Sequence, residues 1–205
     1  MIAGQLSAPG VLMLNFTLSY DGRIPSGSKG SHVREKQEIR RHFHPQLRTW
    51  WETGPMAATL KEIPGGSTMW EQFIKSRFAA ETGFAPLPLV TRFLEVACEL
   101  DILMLKPEEP GRFIRNDGDI DNRLKIIFDA LRMPQLGELS SGDSPREDER
   151  PFFYCLLEDD SLITKVTLRA DRLLAAHPDP DAVRLIIGVG VRATHLTRWD
   201  FPIGT

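Results

Sequence analysis

Leu12, Leu14, Phe16, Leu18 and Tyr20 alternate with Met13, Asn15, Thr17 and Ser19, the period-2 pattern of a strand with one face on a core. Asp21-Gly22 and the run Pro25 to Gly30 carry turn residues, so the strand is expected to end there in a loop. Ser31 then suits the N-cap of a helix over residues 32–42, and Pro45 suits the first position of a second helical stretch through Trp50 and Trp51. Thr68 and Glu71 stand at capping-box spacing, with Trp70, Phe73, Ile74 and Arg77 following at helical intervals.

The longest alternation places Leu94, Val96, Cys98, Leu100, Ile102 and Met104 against Glu95, Ala97, Glu99 and Asp101, a strand with one apolar and one acidic face. After a break at residues 107–111, Leu124, Ile127, Phe128 and Leu131 form the core stripe of a helix over 122–132, leaving Asn122, Lys125, Asp129 and Arg132 on another side. Residues 152–157 read as a strand and 158–161 as a turn. Leu162, Thr164, Val166 and Leu168 read as the inward face of the next strand, and 183–191 as a last apolar strand. Residues 137–150 are polar and acidic, with little that can pack, and are expected to form a flexible insertion. Strands and helices follow without a regular βαβ repeat, and the short turn at 158–161 favours antiparallel neighbours. The expected class is therefore α+β: a mixed β-sheet packed with helices in one domain over 1–205, with a helical N-terminal elaboration and an acidic loop insertion.

Composition changes this picture in three places. A length of 205 residues with 41% hydrophobic content suffices for one substantial core. Cys98 and Cys155 sit in apolar strands without metal-ligand spacing, which makes them reduced core thiols and the expected compartment the cytoplasm. The apolar patch at residues 11–14 falls far short of the roughly 20 residues of a spanning helix, so no membrane association is expected. The formal charge is −3, yet from Arg23 to Arg48 seven basic residues face two acids. That segment is +5 and the rest of the chain −8. Arg34, Lys36, Arg40 and Arg41, together with Arg123, are therefore candidates for phosphate contact, against the plainer reading of a solvated helix face.

The densest chemistry lies at Asp117-Gly118-Asp119-Ile120-Asp121-Asn122, where a loop meets a helix start. In extended backbone, side chains two apart share a side, so Asp119 and Asp121 can meet one cation. Carboxylates without thiolate or imidazole select Mg²⁺, with Mn²⁺ as an alternative. Asp121 or Asn122 also suits a helix cap, which is compatible with metal binding. An EF-hand calcium loop departs from the pattern, because its glycine position holds Asn122 and its bidentate glutamate position holds Phe128. Lys125 lies four residues after Asp121 and four before Asp129, on one helical face at the mouth of the site. It suits either an ion-pair ladder or neutralisation of charge on a phosphate. Glu158-Asp159-Asp160 is a second acidic cluster, whose mutual repulsion a cation or plain solvent exposure would relieve.

Asp119-Ile120-Asp121-Asn122, a lysine one turn on, Asp129-Ala130-Leu131, and Glu158-Asp159-Asp160-Ser161 leading into an amphipathic strand together resemble the RusA family of Holliday-junction resolvases. The resemblance spans residues 99–171. It implies a mixed α/β fold and a Mg²⁺-dependent homodimer that nicks four-way DNA junctions. It also implies that Asp119, Asp121 and Asp160 are metal-binding catalytic aspartates and Lys125 a catalytic lysine, with Asp159 matching the first aspartate of the family's pair. This chain departs from compact members in the helices after Ser31 and in the 137–150 insertion. The competing expectation is a non-catalytic DNA-binding or assembly protein that keeps the fold.

Overall fold

In a computed structural model, residues 13–25, 32–54, 76–107, 120–175, 177–179 and 181–194 are described. In chain order the elements are β1 (Met13–Arg23), α1 (Val33–Thr53), α2 (Arg77–Thr82), β2 (Pro86–Val90), β3 (Val96–Lys106), α3 (Ile120–Leu131), β4 (Phe153–Leu157), β5 (Ile163–Arg172) and β6 (Ala182–Ala193), with 3-10 turns at Glu147–Glu149 and Asp160–Leu162. The class is mixed α and β, as the hydrophobic pattern predicts. Ser31 and the predicted capping box at Thr68 lie outside the described residues; the residue that begins α1 is His32, with left-handed backbone and no side-chain cap.

Four strands form the main sheet in the order β1–β6–β3–β5, antiparallel except for the parallel pair β3–β5. Alternation places Leu18, Tyr20, Leu100, Ile102, Met104, Val183, Leu185 and Ile187 in one core. The helices cover this face: α1 packs on β1, α3 and β4, with Phe16 against Trp50 at 5.3 Å between ring centres. Both tryptophans of α1 are buried core residues, and so are both free cysteines, whose thiols burial pushes up to about 12.

Five local expectations change. The two helical stretches predicted on either side of Pro45 are one helix of 21 residues with Pro45 inside it. Apolar burial of Ile39, Phe43, Leu47, Trp50 and Trp51 along one side offsets the hydrogen bond a proline removes. Asp21-Gly22-Arg23 extends β1 rather than turning, because it pairs with Arg184, Val183 and Ala182, and the Arg184 guanidinium meets Asp21 at 2.6 Å. Gly22 is needed in that strand, since a Cβ there would lie 2.6 Å from the Tyr20 hydroxyl, which donates to the Arg23 carbonyl.

The strands flanking the 158–161 turn are not antiparallel neighbours. β4 pairs in parallel with β2 in a separate two-stranded sheet, and β5 pairs in parallel with β3. β2 itself, Pro-Leu-Pro-Leu-Val, carries two prolines, which a strand with a single hydrogen-bonded neighbour tolerates. In β5 the register shifts opposite Cys98 and Glu99, which adds Ile163 to the inward side at the start of the strand, while the expected phase holds at Leu162 and Leu168 and continues to Ala170. Ile163, Leu168 and Ala170 pack on the core, while Thr164 and Val166 are exposed.

Residues 137–150, expected to be a flexible insertion without core, lie against α1. Arg41 binds Glu149 at 2.7 Å and Asp143 at 2.8 Å, and Leu139 packs on Phe84 and Phe153. Acidic composition suggested solvation, but here the acids answer cations of the helix.

Candidate functional site

The candidate site gathers around the start of α3. Ile126, Ile127, Ala130 and Leu131 seat this helix in the core, which leaves Asp121 in its first turn and Lys125 one turn later on the exposed side. Asp119, immediately before the helix, and Asp117 lie outside the described residues. Beside α3 and against β3 stands the 3-10 turn Asp160–Leu162, so the second acidic motif is brought next to the helix that carries the first.

The carboxylates of that turn have separate tasks. Asp159 is its N-cap: its carboxylate accepts the Ser161 hydroxyl and, at 3.1 Å, the Ser161 backbone N–H. Those two bonds, the hydroxyl first, with the nearby Arg92 guanidinium, hold the Asp159 carboxyl below the usual carboxylate range. Arg92 reaches Asp159 at 3.3 Å and the Ser161 hydroxyl at 2.9 Å, and its own backbone N–H donates to Glu158 at 2.9 Å. Asp160, next in sequence, is exposed. The mutual repulsion expected for this cluster is therefore relieved for Glu158 and Asp159 by an arginine that no sequence motif marks, and Asp160 remains at the surface.

Asp121 and Asp160 supply hard oxygen donors of the kind Mg²⁺ takes. Among the described residues no three His, Cys, Asp or Glu side chains stand together as a complete metal-holding group. The proposed set has two of its three carboxylates described and the third, Asp119, outside them.

Asp129 is not at the mouth of the site, where the i, i+4 spacing from Lys125 places it. It is buried, with Lys36 at 2.7 Å and Arg132 at 2.9 Å. Burial alone would push its carboxyl up, but hydrogen bonds and charge from those two cations outweigh it and hold it below the usual value. Glu138 behaves in the same way, its burial outweighed by Arg132, the Gln135 backbone and Arg40.

The expected phosphate-contacting residues fare unequally. Arg34 is exposed in the first turn of α1. Lys36 is engaged by Asp129, and Arg41 by Glu149 and Asp143. Arg40 is 2% exposed, gives one hydrogen bond to the Asp129 carbonyl at 2.7 Å and meets Glu138 at 3.2 Å, so it belongs to the interior and not to a nucleic-acid surface. Arg123 is 5% exposed and donates to the Ile24 carbonyl at 2.7 Å. The basic run was legible as charge, but its partners, distant in sequence, were not.

Among the described residues no helix is long and apolar enough to cross a membrane. No family model, curated protein or solved structure matches the chain.

Proposed function

We propose that this chain is a Mg²⁺-dependent endodeoxyribonuclease of the RusA-like kind, which cuts branched DNA, four-way junctions above all, by phosphodiester hydrolysis. The observation that carries the reading is that Asp121 and Lys125, exposed on the start of α3, sit on an element packed beside the turn that exposes Asp160. Motifs far apart in sequence are adjacent in the fold, as a shared site requires.

In this reading Asp119, Asp121 and Asp160 hold the cation, Mg²⁺ or Mn²⁺, which when bound supplies Lewis acidity to a phosphoryl oxygen and an acidified water. Lys125 offsets charge that grows on the phosphate during cleavage, and Arg34 contacts the DNA backbone. Arg92 and Asp159 fix the turn so that Asp160 is presented rather than consumed. Cutting two symmetry-related strands calls for a homodimer, and the reduced, buried thiols suit a cytoplasmic enzyme.

The test is incubation of the purified protein with synthetic four-way, forked and linear duplexes, in Mg²⁺ or EDTA, beside an Asp119→Asn variant. Paired nicks in the four-way substrate that vanish in EDTA and in the variant are expected. Cleavage that survives either would defeat the metal mechanism, and equal cutting of linear duplex would remove the junction preference. Binding without cleavage under every metal condition would favour the non-catalytic alternative.

A further inference from the structure

The main sheet has two edges, β1 and β5, and they are finished differently. On β1 the backbone of Ser19 is answered by α1: its N–H donates to Gln46 Oε1 at 2.9 Å and its carbonyl accepts from the Gln46 amide at 2.7 Å. β5 is a strand of 10 residues whose one strand partner among the described residues is β3. Its Arg172 N–H is taken by the neighbouring Asp171 carboxylate at 2.7 Å, but among the described residues no side chain caps β5 as Gln46 caps β1. Residues 164–167 are all exposed. A long edge with open N–H and C=O groups is a template for another strand.

The pairing with β3 fixes the two faces of β5. Val166, Leu168 and Ala170 stand opposite Leu100, Ile102 and Met104, on the core side of the sheet. Lys165, Thr167, Arg169 and Asp171 stand opposite Glu99, Asp101, Leu103 and Leu105, on the other side, and all four are exposed. Val166 faces the core side and is nevertheless 40% exposed, because it lies at the edge.

We infer that β5 is a dimerisation strand, which pairs antiparallel with β5 of a second copy about a two-fold axis at Leu168 and joins two four-stranded sheets into one. Sidedness and charge select this register. Opposite residues share a face, so the axis passes a residue and not a peptide bond. An axis at Thr167 sets Lys165 against Arg169 of the second copy, and an axis at Arg169 sets that residue against itself. At Leu168, Lys165 faces Asp171 of the second copy on both sides of the axis, Thr167 faces Arg169, and Val166 is covered by Ala170. Opposite charges across antiparallel strands attract and like charges repel. Basic residues alone would only blunt the edge; a lysine and an aspartate at equal distances from Leu168 make it self-complementary, as an isologous interface requires. The expectation of a homodimer rests on the nuclease reading above, whereas the choice of β5 rests on the edge itself.

The experiment is sedimentation equilibrium of the full chain over a range of protein concentrations, comparing wild type with Lys165→Asp, Asp171→Lys and the double variant. Thermal unfolding is followed in parallel. The expected result is a wild-type dimer whose dissociation constant rises about tenfold with either single reversal, since each sets like charges opposite at two symmetric places, and returns to within about threefold in the double variant. A wild type that is monomeric at every concentration overturns the pairing. A dimer indifferent to both reversals has its interface elsewhere and overturns it too. A dimer weakened by both and not restored by the double variant overturns the register at Leu168. Should a reversal not fold, amide exchange of the wild type decides: protection across residues 164–172 that rises with protein concentration supports the pairing, and protection independent of concentration overturns it. Junction cleavage is assayed on the same wild-type sample. Dimerisation through β5 without cleavage defeats the nuclease reading and leaves the interface standing, while cleavage by a protein whose dimer ignores the reversals does the opposite.

Discussion

The Lys36 ammonium of α1 lies 2.7 Å from the Asp129 carboxylate of α3, and both side chains are largely buried. Arg132 approaches the other Asp129 oxygen at 2.9 Å and binds Glu138 at 2.6 Å, so one network ties the two helices to the segment that follows α3. Since both carboxyls are held below their usual values of 3.8 and 4.5, the charged forms are favoured by folding. Their contribution is complete above those values and is lost as pH falls through the lower folded values. Thermal unfolding followed between pH 7 and 3 should show Tm falling below about pH 4, with a shallower fall in Asp129→Asn. At pH 7 the same substitution should cost about 3 kcal/mol by urea titration, because it leaves Lys36 and Arg132 underpaired.

His44 is buried and uses both ring nitrogens. Nδ1 accepts the Tyr154 backbone N–H at 3.0 Å and Nε2 lies 3.0 Å from the Asp148 carbonyl, which defines the neutral ring with its proton on Nε2. The ring also stacks on Phe153 at 5.2 Å. His44→Phe keeps the stacking but orphans a buried N–H and a carbonyl. A loss of about 2 kcal/mol in urea titrations is expected, with faster amide exchange across residues 147–154. Unchanged exchange there would show that His44 does not anchor this segment.

The arginines of α1 should separate by what they touch. Arg40→Met is expected to lower stability by several kcal/mol, consistent with breaking a buried pair, and to leave the salt dependence of DNA binding unaltered in the folded fraction. Arg41→Gln releases Asp143 and Glu149 and should speed proteolytic nicking between residues 137 and 150. Arg34→Gln, on an exposed residue, should leave Tm within about a degree and make the salt slope of junction binding shallower by about one. If all three variants weaken DNA binding equally with no change in stability, the assignment of Arg40 and Arg41 to the interior is wrong.

These arginines also mark where the sequence was legible. The alternation at residues 12–20, 94–104 and 183–191 and the 3.6-residue stripe at 124–131 each gave an element of the right type in nearly the right place, because each is a local consequence of facing one core. Local patterns carry no information on which strands pair. β2 and β4 are parallel partners more than sixty residues apart, and the β5 register shift appears only where β3 lies alongside. The same holds for charge. Arg41 and Glu149 look like members of two solvated runs until α1 is laid against the 137–150 segment, and Lys106 looks like the polar end of a strand although it is buried. For the candidate site, the order Asp119, Asp121, Lys125 and Asp160 was readable as a motif, whereas Arg92, which shapes the Asp160 turn, belongs to no motif.

Asp159 and Asp160 are adjacent in the chain but differ in what they touch. Asp159 is engaged by the Ser161 N–H, the Ser161 hydroxyl and Arg92, and so acts on the shape of the turn, while Asp160 is exposed beside α3. Asp159→Ala removes an N-cap and should lower stability by about 1 kcal/mol. Its effect on cleavage should be partial, about tenfold, and should be mimicked by Arg92→Ala, which loosens the same turn. Asp160→Asn should leave Tm within about a degree of wild type and lower single-turnover cleavage of a four-way junction by more than about 100-fold, with junction affinity in EDTA retained. Stability and cleavage should therefore change in opposite proportions at the two positions. If Asp159→Ala is the inactive variant and Asp160→Asn cleaves normally, the metal-holding role passes from Asp160 to Asp159, and the exposed carboxylate of the turn is ordinary surface.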